Sequence, residues 1–281
     1  MIHLEARKSL GQHFLVDPKI HERIVKVIAL SAEDVLVEIG PGTGLLTRKL
    51  LASHVKKVIA FELDARAIPE LRAEFESAGD RFEVREQDFL LANLHEIAAQ
   101  QGSKLRVAGN IPYYITSPIL FKLIDERNCL QDATLLIQKE VAERLSAAPS
   151  TKAYGIPTVL ANFFGEVKYH FKVSAGSFRP KPNVDSAVVR IDFERGYFAR
   201  NNMEQPSSFD EAAFRKLVRS LFAMRRKTVR NNLKAILPAP AIEQMEATDS
   251  AGFLPRRAEE FGLEEFLELY NHMTAALGNY E

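Results

Sequence analysis

The chain has 281 residues, 46% of them apolar and 26% charged, enough for one large domain or two ordinary ones at about 150 residues each. That mix excludes disordered, collagen-like and low-complexity chains. Lys plus Arg is 37 and Asp plus Glu is 37, so a uniformly basic nucleic-acid coat is excluded, although charge can still be segregated locally. Cys129 is the only cysteine, so neither a disulfide framework nor an all-cysteine metal site can form, as expected in a reducing cytosol. The N-terminus carries Glu5, Arg7 and Lys8 and no apolar run of a secretory signal. No stretch approaches the roughly 18 consecutive apolar residues of a membrane span. A soluble, cytoplasmic protein is expected.

Asp17 and Pro18 open the first predicted helix as an N-cap and a residue preset for the first turn, with Ile20, Ile24, Val25, Val27 and Ile28 at helical spacing. Strands at 35–39, 57–62, 82–86, 105–108 and 133–138 then alternate with helical segments such as 45–51 and 66–75. This alternation predicts a doubly wound, mostly parallel α/β sheet covered on both faces. Past Tyr154 the pattern turns antiparallel: Val167, Tyr169, Phe171 and Val173 alternate, and 184–193 is the expected partner strand. Residues 194–208 have the polar, turn-rich make-up of a linker, and everything after Phe209 reads as helix with breaks near Pro238, Pro240 and 252–255. The expected division is a sheet domain at 1–199 and a small all-α domain at 200–281.

Glu38-Ile39-Gly40-Pro41-Gly42-Thr43-Gly44 falls where a strand ends and a helix begins. Glycines such as Gly40 and Gly42 let a ligand approach the backbone closely, and the helix N-terminus offers amide donors. The spacing is one residue tighter than the dinucleotide fingerprint, and Pro41 removes a donor that a pyrophosphate would use. A tight turn with no ligand is the plain alternative. Two carboxylates weigh against it. Glu62 ends the second strand, where it can accept both ribose hydroxyls. Asp88 follows the third, where it can accept from an adenine amino group while Phe89 lies against the ring. At the carboxyl ends of three successive strands these groups describe an adenosine-shaped crevice. S-adenosylmethionine fits it better than NAD, because nothing is arranged for two phosphates. No metal is required.

After the fourth strand comes Gly109-Asn110-Ile111-Pro112-Tyr113-Tyr114, which resembles the Asn/Asp-x-Pro-Tyr/Phe motif of methyltransferases acting on exocyclic amino groups. The adenine N6 lone pair is delocalised into the purine and is a poor nucleophile. Hydrogen bonds from N6–H to the Asn110 side-chain oxygen and to a backbone carbonyl beside Pro112 would aim it at the methyl donor, which is catalysis by positioning and electrostatics. Tyr113 would stack on a base taken out of its helix.

The blocks Arg7 to Asp17, Leu136 to Arg144, Lys152-Ala153-Tyr154-Gly155 and Phe178 to Val188 extend the similarity over nearly the whole chain. Together they resemble the ribosomal RNA adenine dimethyltransferase family, and most closely its bacterial members that dimethylate two adjacent adenosines near the 3′ end of small-subunit RNA. The resemblance implies a class I methyltransferase fold and an S-adenosylmethionine site lined by Leu15, Gly40, Glu62, Asp88 and Asn110. It also implies that Phe178 stacks on the target adenine opposite Tyr113, and that the substrate is small-subunit RNA within a 30S assembly particle, with no membrane or obligate protein partner. The family usually has Asn where this chain has His13, which can also donate and accept; a cofactor contact there could run through its backbone. Three rivals remain: the macrolide-resistance relative acting on large-subunit RNA, an assembly factor whose binding matters more than catalysis, and an NAD-dependent oxidoreductase, which the glycine spacing disfavours.

Between Ala212 and Lys234 there are eight basic residues and no acidic one. On a helical wheel Phe214, Leu217, Val218 and Leu221 share one arc and Arg215, Lys216 and Arg219 another, with a break expected near 223–226. The second piece groups Val229, Leu233, Ile236 and Leu237 inside and Lys227, Arg230 and Lys234 outside. A single-sign run in a neutral chain points to a phosphate-contacting face, with Arg219, Arg226, Lys227 and Arg230 as its RNA-binding residues. The acidic group from Glu259 to Glu268 is expected to face away from RNA.

Overall fold

A computed structural model describes residues 4–7 and 10–278; Lys8 and Ser9 of the first block lie outside them. The chain forms two compact units, Met1–Glu143 with Phe164–Arg195, and Arg144–Phe163 with Gly196–Glu281.

The first unit is built on β1 (Phe14–Leu15), α1 (Pro18–Ile28), β2 (Val35–Ile39), α2 (Leu45–Ala52), β3 (Lys57–Glu62), α3 (Ala67–Glu74), β4 (Phe82–Glu86), α4 (Leu94–Gln101), β5 (Leu105–Asn110), α5 (Thr116–Asp125) and β6 (Leu130–Gln138). α6 (Lys139–Leu145) crosses into the second unit, and α7 (Ile156–Phe164) lies almost wholly within it. β7 (Glu166–Val173), β8 (Phe178–Arg179) and β9 (Ser186–Asp192) return to the first. The seven-stranded sheet has the order β4-β3-β2-β5-β6-β9-β7, parallel from β4 to β6 and antiparallel at β9 and β7. β2 is buried along its whole length, as an apolar strand covered on both faces must be. Asp17 caps α1 by accepting from the Lys19 amide at 3.0 Å, so the predicted N-cap is made.

Register is what positions the site. Ile39 stands opposite Phe61 on one side and Gly109 on the other. Gly40, Glu62 and Asn110 therefore finish their strands level with one another at the carboxyl edge. A Cβ at Gly109 would come 2.7 Å from the Ile39 carbonyl, so only glycine lets β5 run this close to β2. β9, running the other way, brings Ser186 opposite Gln138 and so to the same edge. β1 and β8 make a separate antiparallel pair, Leu15 opposite Phe178, that binds the N-terminal segment there.

In the second unit, α8 (Tyr197–Arg200), α9 (Glu211–Ala223), α10 (Val229–Leu233), α11 (Ala239–Thr248) and α12 (Leu263–Gly278) supply the helices. Phe163 stacks with Phe214 at 4.1 Å and with Tyr197 at 5.2 Å, and Tyr154 donates to the Phe261 carbonyl at 2.8 Å. These contacts group residues 144–163 with the C-terminal helices, although their sequence pattern reads as part of the preceding domain.

Away from the carboxyl edge, Arg106 and Asp132 are 3% and 0% exposed. Arg106 donates to Asp132, Asp34 and the Ala29 carbonyl, and Arg190 reaches Asp132 at 2.8 Å. A buried pair broken from one side leaves an uncompensated charge. Asp132→Ala is expected to destabilise the chain by about 3–5 kcal/mol in urea unfolding, and a loss below about 1 kcal/mol would refute the role of this network.

Candidate active site

The carboxyl edge opens into a crevice lined by Gly40, Gly42, Glu62, Gln87, Asp88 and Phe89 and by Asn110 to Ile115. The N-terminal segment Leu10 to Phe14 forms a further wall. Gly40, Gly42 and Gly44 all have positive φ. A Cβ on Gly42 would meet the Phe14 ring at 2.9 Å, whereas one on Gly40 would meet nothing within 4 Å. The cradle at Gly40 is thus open backbone.

Glu62 is 5% exposed and accepts three main-chain amides: Gly42 at 3.0 Å through Oε2, and Leu63 and Asp64 at 2.9 Å through Oε1. Burial pushes its carboxyl pKa up, against the pull of those amides. The carboxylate predicted to face a ribose thus also holds the glycine loop in shape, while its remaining lone pairs can serve hydroxyls. Asp88 accepts from the Leu90 amide at 2.9 Å, and Phe89 sets its buried ring edge-on to Phe61 at 5.9 Å.

Asn110 ends β5, and its Nδ2 donates to the His13 carbonyl at 2.8 Å. With the amide nitrogen so engaged, Oδ1 is the acceptor this side chain can offer a ligand. The His13 ring stacks on Tyr113 with centroids 5.8 Å apart and planes 25° apart, and its Nδ1 donates to the Pro180 carbonyl at 2.8 Å. Tyr113 is tied through its hydroxyl to Ser186 Oγ at 2.8 Å. Before His13, Gln12 donates to Asp64 at 3.1 Å. The Arg66 guanidinium beside Asp64 holds that carboxyl down at about 2 and also reaches the Glu5 carbonyl.

The structure brings His13, Gly40, Gly42, Glu62, Asp88, Phe89, Asn110, Pro112 and Tyr113 together in this one crevice. It does not bring Phe178 there. That ring is 0% exposed, packed in the core with Leu15, Ile24, Leu136 and Val188, so in this arrangement it offers no face to a base. Leu15 is likewise a core residue, 4% exposed, and lines a smaller recess that shares Phe14, Gly40 and Asn110 with the crevice. Sequence reasoning missed the recess's acid, Glu38, whose only signal was a carboxylate inside an otherwise apolar strand. Of the wall made by Leu10 to Phe14 it named His13 and missed Leu10, Gly11, Gln12 and Phe14, which reach the crevice through contacts far apart in sequence.

In the second unit α9 buries Phe214, Leu217, Val218 and Leu221 as the wheel predicts. Arg219, Arg226 and Lys227 are exposed. Arg230 is ion-paired with Glu246, which corrects its reading as an open cation, and Arg225 pairs with Glu259 at 2.8 Å. The acidic group therefore does not all face away from the basic run.

Strand order, glycine loop and carboxyl-edge crevice define the class as an S-adenosylmethionine-dependent (class I) methyltransferase. The residues fit that cofactor: an open glycine cradle, a carboxylate beside it, and an aromatic wall at Phe89. The profile described as ribosomal RNA adenine dimethylase matches residues 3–273. Curated relatives named ribosomal RNA small subunit methyltransferase A include one from Geobacillus thermodenitrificans, 41% identical over 94% of this chain and 90% of that protein. Another, from Chlorobium phaeobacteroides, is 40% identical over 96% and 94%. Among solved structures, a dimethyladenosine transferase from Plasmodium falciparum aligns with TM-score 0.78 and 27% identity over 94% of this chain and 98% of its own. The 23S rRNA methyltransferase ErmE aligns with TM-score 0.67 and 28% identity over 93% and 99%. The chain belongs to the ribosomal RNA adenine dimethylase family. Among the described residues no helix is long and apolar enough to cross a membrane.

Glu38 is 1% exposed and accepts from Thr47 Oγ1 at 2.7 Å; burial pushes its pKa from 4.5 up to about 8, with the nearby Glu62 charge adding to the rise. The folded chain therefore keeps a proton that the unfolded chain loses near pH 4.5, so stability falls as pH rises from there to about 8 and is flat above. Glu38→Gln is expected to flatten this part of the pH–stability curve in urea unfolding. An unchanged slope would show that Glu38 is already ionised in the fold.

Proposed function

We propose that the chain transfers methyl groups from S-adenosylmethionine to N6 of two adjacent adenosines near the 3′ end of small-subunit ribosomal RNA, within a 30S assembly particle in the cytoplasm during ribosome biogenesis. The observation that carries this reading is the Asn110 side chain, fixed by the His13 carbonyl with its oxygen left to accept. The cofactor, when bound, supplies an electrophilic methyl on a sulfonium. Glu62 and Asp88 hold its ribose and adenine, Phe89 walls the ring, and the main chain of Gly40–Gly42 and of His13 receives the rest. Leu15 acts from beneath, as packing under the Gly40 recess.

Asn110 accepts from N6–H, a main-chain carbonyl beside Pro112 accepts the second N–H, and Tyr113 stacks on the base. This geometry draws electron density out of the ring onto N6 and aims its lone pair, without any strong base, because the methylated cation loses its proton readily to water. Curated relatives at 40–41% identity carry the small-subunit name, which favours that substrate over large-subunit RNA. The second unit serves as the RNA-binding domain, with Arg219, Arg226 and Lys227 on phosphates and Arg230 contributing less because of Glu246.

Asn110→Ala should slow single-turnover methylation of undermethylated particles by about 10²–10³ while S-adenosylhomocysteine binding stays within about tenfold. Near-normal turnover would remove Asn110 from the chemistry. For the second unit, replacing Arg226 and Lys227 with Gln should lower the slope of log affinity against log salt by about 0.7–0.9 for each phosphate no longer neutralised, with cofactor affinity unchanged. A wild-type slope would reduce these residues to a solubilising face.

A further inference from the structure

We propose that His13 is a positioning residue that retains the target adenine between its first and second methylation. The inference rests on the reading of the crevice as an adenine N6-dimethyltransferase site. It concerns a step that this reading leaves open: whether the once-methylated base stays for the second transfer.

Residue 13 ties three parts of the site together. Its carbonyl holds the Asn110 amide, its Nδ1 donates to the Pro180 carbonyl, and its ring lies nearly parallel to that of Tyr113. The segment around it is pinned on both sides, by Gln12 on Asp64 and by the pairing of β1 with β8. Tyr113, locked at its far end by buried Ser186, therefore has its ring plane set from one side by the imidazole. Phe178, packed in the core, is one ring fewer that could share the stacking.

The chemistry of the two transfers differs. An unmodified N6 carries two N–H groups and can satisfy two acceptors. After the first transfer it carries one, and one acceptor loses its donor. The once-methylated base is then held less by hydrogen bonds and more by stacking on Tyr113. Any loosening of the Tyr113 plane should therefore show first as early release of the N6-monomethyl intermediate. The His13 side chain, unlike its carbonyl, is replaceable without touching the Asn110 bond.

The test uses full-length protein, saturating S-adenosylmethionine and an excess of small-subunit particles from cells lacking the gene. Mass spectrometry then counts N6-monomethyladenosine and N6,N6-dimethyladenosine at early time points. His13→Ala should raise the mono-to-di ratio by about threefold to tenfold, the factor an aromatic pair contributes. His13→Phe, which keeps a ring over Tyr113, should restore the wild-type ratio. S-adenosylhomocysteine affinity, measured by calorimetry, should stay within about threefold in both, and thermal melting checks that each folds. A wild-type ratio in His13→Ala would overturn the proposal, as would a His13→Phe ratio as high as that of His13→Ala. Loss confined to cofactor affinity would also overturn it and return His13 to a cofactor role alone. Failure of the underlying reading looks different: the wild-type protein would then yield no methylated adenosine at all.

Discussion

One hydrogen bond, from the Asn110 amide to the main chain of His13, decides what this crevice can do. An asparagine left to rotate would present donor and acceptor with equal readiness. Held by a backbone carbonyl, it becomes a fixed acceptor at the end of β5. An exocyclic amine is the kind of group such an acceptor suits, and positioning is what a weakly nucleophilic amine needs most. Because the partner is main chain, the constraint does not depend on which side chain position 13 carries.

That bond exists only because the sheet and the N-terminal segment are each held in register. Ile39, Phe61 and Gly109 stand level across β2, β3 and β5, and Gly109 allows the close approach that keeps them so. Glu62 then shapes the glycine loop through Gly42, and the Gln12–Asp64–Arg66 chain pins the segment that crosses the opening. Buried carboxylates are costly unless their lone pairs are met. Glu62 meets them with backbone amides, whereas Glu38, with a single hydroxyl donor at Oε2, keeps its proton instead.

Much of this was legible in the sequence because the signals are local. Strand period, the Gly40–Gly44 loop and the Asn110–Tyr113 run each occupy a few adjacent residues, and the nine site residues that the crevice brings together were named from such runs or from family resemblance. What escaped depends on distant partners. Phe178 carries a motif but pairs with Leu15 across a two-stranded ribbon, and burial there follows from that pairing rather than from its neighbours. Residues 144–163 read as more of the alternating domain, yet the stacking of Phe163 on Phe214 draws them to the helices. Arg230 lies in an acid-free run on α10, and its counter-ion Glu246 sits on α11, where no local pattern links the two.

The account therefore stands or falls on which end of Asn110 meets the target. A structure of the chain with S-adenosylhomocysteine and an adenine nucleoside in the crevice would answer this directly. The expected result places N6 within about 3 Å of Asn110 Oδ1 while Nδ2 remains on the His13 carbonyl. An amide turned so that Nδ2 faces the base, or an N6 held wholly by other groups, would contradict it.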